Sequence, residues 1–197
     1  MSRSTTRTVR DFRNVFTFAF LTHLGDVITT HYRDPELAGE GNPVFGLLAA
    51  HGIGGWAALI IVKIVVVGVL SAAYWGYLVA RRHYLPDEVV HSPRALIWRG
   101  MWDGRPYPRS LWRRLFHRRK FEFGGLVMMA VALPASAAAA LFISVDNILV
   151  AVGNPLPYLS LRLFIPVTAV GMFVWWYLAY WQYYQQTLQE PPPAADE

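Results

Sequence analysis

Four long apolar stretches separated by polar ones limit what this chain can fold into. A helix needs roughly 20 mostly apolar residues to cross about 30 Å of hydrocarbon. The stretches at about 14–32, 52–80, 124–145 and 163–184 reach that length. Composition agrees: 16% of the 197 residues are charged, against about 25% in an ordinary soluble domain, and mean hydropathy is +0.28. These values exclude a disordered chain and a typical cytosolic enzyme. Cysteine is absent, which removes disulfides, thiolate metal sites and cysteine nucleophiles. The expected fold is an all-α integral membrane protein: four transmembrane helices with an interfacial basic loop helix. It forms one membrane domain over 1–197 and ends in a polar tail at 190–197, expected to be disordered.

Positive charge sets the expected orientation. Arg3, Arg7, Arg10 and Arg13 precede the first stretch, and eleven Lys and Arg residues fall in the 81–123 loop, so 15 of the 18 positive residues occupy two segments. With four spans, those segments and the C-terminus share one side, which the positive-inside rule makes cytoplasmic. The first stretch also invites reading as a cleaved leader. Its apolar run is broken by His23 and Asp26 and no small-x-small site follows, so a retained helix is expected.

The 81–123 loop places Trp98, Met101 and Trp102 at i, i+3, i+4. A second stripe, Leu111, Trp112, Leu115 and Phe116, is flanked by Arg109, Arg113, Arg114 and Arg118. Short helices lying on the inner surface are expected, with arginines toward anionic headgroups and aromatics toward acyl chains. The alternatives are a loop packed on its own bundle and a docking surface for a partner. No groove-reading motif accompanies the arginines, so a nucleic-acid partner is not expected. Trp181, Tyr183 and Tyr184 read as an interfacial aromatic belt.

Ionisable groups inside an apolar span are costly and mark a candidate site. His23, Asp26 and Thr30 recur at i, i+3, i+7 with Thr29 beside them, one polar stripe on an otherwise apolar helix. Lipid cannot satisfy such a stripe, so it must face protein. At about 1.5 Å per residue, Asp26 lies roughly 9 Å below Tyr32 and Lys63 roughly 12–16 Å below the start of its span. The two charged heads therefore reach similar depth. Their pairing reads either as a register lock between helices or as a proton- or ion-handling site.

Other chemistries find less support. A bis-histidine haem needs two ligands at matched depth, and His23 alone lies well inside a span. A lone histidine can serve a pigment magnesium or a quinone, although a plain hydrogen bond is the commoner use, and no cofactor is expected. The outer residues His31, Glu36, Glu40 and His51 lack metal-site spacing. There is no G-x-S-x-G and no phosphate-loop signature, and no histidine is evidently placed to serve Ser71, Ser136 or Ser144. No enzymatic activity is expected.

Asp26-x-x-Thr29, then Glu40-x-Asn42-Pro43, then Lys63 in the next helix resembles a family of small prokaryotic multi-span membrane proteins of unknown function, over about residues 20–75. The resemblance implies a membrane fold, a prokaryotic cytoplasmic membrane and one spatial group of Asp26, Thr29, Glu40, Asn42 and Lys63. It implies no reaction. Two functions are expected to compete. One is a non-enzymatic accessory subunit packed against other membrane protein subunits, as in a respiratory or photosynthetic complex. The other is a small transporter or ion-handling protein centred on Asp26 and Lys63.

Overall fold

The computed structural model describes residues 3–37, 43–86, 88–102, 118–154 and 158–189. The described residues are helical apart from short turns and connecting segments, with no strand. Helix α1 runs Arg3–Arg33, α2 Pro43–Ala50, α3 Gly55–Ala80, α4 Pro93–Trp102, α5 Arg118–Ala151 and α6 Tyr158–Leu188. A 3-10 turn, Arg81–Tyr84, prolongs α3.

Helix boundaries follow the residues that break helices. No proline interrupts α1, which stops before Asp34-Pro35, and His31 and Arg33 set positive charge against its C-terminal dipole. The 3-10 turn ends at Leu85, before Pro86. Pro93 opens α4, and the Ser92 hydroxyl accepts from the Ala95 amide at 3.2 Å, an N-cap bond. Helix α5 closes on Gly153, whose φ of +78° suits glycine. There the Asn154 and Gly153 amides donate back to the Leu149 and Val150 carbonyls.

Helices α1, α3, α5 and α6 run alternately up and down, and α5 lies at the centre. Lys63 meets Asp26, and Trp75 meets Phe12, so α1 and α3 are antiparallel. His23 meets Ser136, and Thr30 meets Asn147, so α1 and α5 are parallel. Phe123 meets Trp176 and Tyr180, and Phe142 meets Phe164, which makes α5 and α6 antiparallel. The α1–α5 contact is close because Ala19, Ala130, Ala137 and Ala140 are all buried.

Two stretches, Gly55–Tyr84 and Arg119–Ala151, are long and apolar enough to cross a membrane, with hydropathies of 2.4 and 2.3 over their most apolar windows. Only 28% and 44% of those windows is buried inside the protein. In α1, Phe16, Phe20, Leu24 and Ile28 form an exposed i+4 stripe, whereas the polar Thr22, His23 and Asp26 are buried. Over this part of α1 three polar side chains face the protein while four large apolar ones face outward.

One expectation about the basic end needs correction. Trp181, Tyr183 and Tyr184 are expected as an interfacial aromatic belt, but Tyr183 and Tyr184 are buried. The Tyr184 hydroxyl accepts from the Val90 amide at 2.7 Å, and the Tyr183 ring lies under Arg81. Helix α4 turns the face carrying fully buried Leu96 toward the bundle and packs Gly100 on Phe123, leaving Trp98 39% exposed. Its apolar contacts are thus made with α5 and α6, because Leu96 and Gly100, one turn apart, offer a flatter face than the tryptophans. The side chains of Trp102 and Arg118, residues Arg109, Trp112, Arg113 and Arg114, and the 190–197 tail lie outside the described residues.

Candidate functional site

The polar stripe of α1 is buried against α3 and α5. Asp26, 2% exposed, accepts from Lys63 Nζ at 2.5 Å through one carboxylate oxygen and from the Thr30 hydroxyl at 3.5 Å through the other. Thr29 donates to the Asp26 carbonyl at 3.2 Å, the back-bond typical of a mid-helix threonine. From α5, the Asn147 amide donates to the Thr30 and Thr29 hydroxyls at 3.1 and 3.4 Å. Its oxygen accepts from Arg33 at 2.8 Å. Arg33 also approaches Asp146 at 3.9 Å. Two carboxylates and two cations therefore balance, and one hydrogen-bonded chain links α3, α1 and α5.

This geometry has a simple origin. Helix α3 begins at Gly55, so Lys63 enters about 12 Å along it at 1.5 Å per residue. The Trp56 indole donates to the Pro35 carbonyl at 2.8 Å and packs edge-on against His31. That contact sets the start of α3 beside the end of α1 and so aligns Lys63 with Asp26. A buried ion pair adds little net stability over an apolar substitute, whereas losing one partner strands a charge.

His23 lies deeper, where Nε2 meets the Ser136 hydroxyl at 3.4 Å. The sequence shows no histidine evidently placed beside the membrane serines; the structure sets His23 against Ser136 from another helix, 113 residues away. Ser136 gives its one hydroxyl proton to the Leu133 carbonyl at 2.8 Å. The direction of the 3.4 Å contact with His23 follows the imidazole tautomer. His23 Nδ1 is buried without a partner in the protein.

The structure thus brings His23, Asp26, Thr29, Thr30 and Lys63 to one seam. Asn147, Arg33, Asp146 and Ser136 complete it, and sequence reasoning did not place them there. The Asp146-Asn147 pair was visible as a polar break near the end of an apolar span, but nothing local indicated which way it faced. Glu40 and Asn42 lie outside the described residues, as does the side chain of Pro43, which opens α2. No group of three or more potential metal ligands occurs among the described residues.

Comparison of the chain with protein-family models, curated proteins and solved structures finds no match.

Proposed function

We propose that the chain is a four-span integral protein of a prokaryotic cytoplasmic membrane, with its basic end cytoplasmic. In this reading it acts as a non-enzymatic accessory subunit of a larger membrane assembly. The inverted polarity of α1 and the exposed aliphatic faces of α3 and α5 support lipid as solvent, since a water-soluble core helix is mostly buried. Four spans rather than two follow if α1 and α6 share the depth of the helices they pack against. The Trp and Tyr residues of α6 lower its hydropathy while suiting a membrane interface.

One observation favours a scaffold over a transporter: both Asp26 oxygens are engaged within the seam. An ion reaching this carboxylate, 2% exposed, would have to displace Lys63 or Thr30. The test is gentle detergent extraction followed by native gel and mass spectrometry. Stable co-migration with other membrane subunits is expected. A homogeneous homo-oligomer giving pH-dependent flux in vesicles overturns the accessory role.

The ion-handling reading retains one favourable observation. The Lys63 side chain is a quarter exposed, so the pair lies at the edge of the bundle rather than at its centre. In that reading, the double change Asp26→Asn with Lys63→Met, which strands no charge, abolishes vesicle flux while leaving the helices assembled.

A further inference from the structure

A second polar site lies at the opposite end of the bundle from the Asp26 seam. A cavity of about 220 Å³ opens between α1, α3 and α6, and its lining includes Arg7, Asn14, Tyr74, Tyr77, Arg81 and Trp176. Arg81, on the turn that prolongs α3, is 5% exposed. Its Nη2 donates to Asp11 at 2.9 Å, and its guanidinium lies 3.8 Å from the Tyr183 ring centre. Its Nε is buried with no partner. Arg7 approaches the same ring from α1 at 5.0 Å.

Burying a guanidinium is expensive unless its charge is met; Asp11 meets that of Arg81, and Arg7 adds a second positive charge to the same wall. Besides Arg81, the wall includes the donor-bearing side chains of Arg7, Asn14, Tyr74 and Gln182. Asp11, the carboxylate in the lining, is already engaged by Arg81. A fixed planar donor group between aromatic faces suits an anion whose oxygens only accept. Arg10 and Arg82 lie at this same end, where the proposed topology places the anionic leaflet.

We propose that this cavity binds an anionic phosphoester, either the headgroup of an anionic phospholipid or a free phosphoester of the same chemistry. The lipid source rests on the membrane reading above; the free source does not. About seven water volumes of roughly 30 Å³ each fit the space, enough for a headgroup with the acyl chains left outside.

The test uses the full chain in mild detergent, with native mass spectrometry in the presence of phosphatidylglycerol, phosphatidylcholine or glycerol 3-phosphate. Expected is one phosphatidylglycerol retained per chain, at least tenfold over phosphatidylcholine. Ala179→Trp, which fills the cavity, should cut retention about tenfold with helical circular dichroism unchanged. Arg7→Gln leaves the Arg81–Asp11 pair intact and carries the test alone should the first variant misfold. Retention of glycerol 3-phosphate, lost in the same variants, assigns the site to a free phosphoester. Equal retention of the two lipids without glycerol 3-phosphate binding, or retention unchanged in Arg7→Gln, overturns the proposal. Failure of the membrane reading is separately visible as a chain monodisperse without detergent, where the glycerol 3-phosphate arm still decides the cavity.

Discussion

At the residue scale, the Asp26–Lys63 pair is a matter of who is left alone. Lys63→Met strands a carboxylate that is 2% exposed, and removing one partner of a buried pair costs on the order of 3–5 kcal/mol. The quarter exposure of Lys63 places the expected cost toward the lower end. The double change Asp26→Asn with Lys63→Met removes both charges and should recover most of the loss. Membrane accumulation and thermal melting in detergent measure it, and equal accumulation of the single and double variants contradicts the pairing. Asn147→Ala cuts the bonds to Thr29, Thr30 and Arg33 and should cost about 1–3 kcal/mol. The Asp26 half of this seam was readable because a helix converts sequence spacing into depth. The Asn147 half was not. Helix α5 is small and apolar around much of its circumference, so its sequence leaves its rotation undetermined, and only the packing of Ala130, Ala137 and Ala140 fixes which way Asn147 and Ser136 point.

At the scale of elements, the segment between α3 and α5 is held by contacts that the charge pattern concealed. A Cβ on Gly100 would lie 2.7 Å from the Phe123 ring, which is itself wedged among Tyr84, Trp176 and Tyr180. That ring has little room to yield, so Gly100→Ala should lift α4 at a cost of about 1–3 kcal/mol. Hydrogen exchange over 93–102 reads it as lost protection with α1 unaffected. Tyr184→Phe removes the acceptor of the Val90 amide and should speed exchange there, for a loss of about 1–2 kcal/mol. Unchanged exchange at Val90 contradicts the anchoring role. Sequence spacing pointed to a short helix around Trp98, Met101 and Trp102 with tryptophans gathered on one of its faces. It could not show that the less conspicuous Leu96–Gly100 face is the buried one, because tryptophan weighs heavily in any apolar pattern while glycine weighs nothing. Tyr183 and Tyr184 misled for the same reason: an aromatic cluster at a helix end suits a lipid interface and a protein interface equally.

At the scale of the whole molecule, the alternating helix directions put Arg10 and the Arg81–Tyr84 turn at one end and the α2 and α5 C-termini at the other. The four-span account requires those ends to lie on opposite sides of a bilayer. The chain has no cysteine, so an introduced one is its sole thiol. Arg10, His83, His51 and Asn154 are all exposed and mark the two ends. The decisive measurement is labelling of single-cysteine variants at these positions with a membrane-impermeant maleimide on intact cells and again after permeabilisation. The account predicts that His51→Cys and Asn154→Cys react on intact cells, whereas Arg10→Cys and His83→Cys react only once the membrane is opened. Reaction of all four from one side, or recovery of the labelled chain from the soluble fraction, contradicts it.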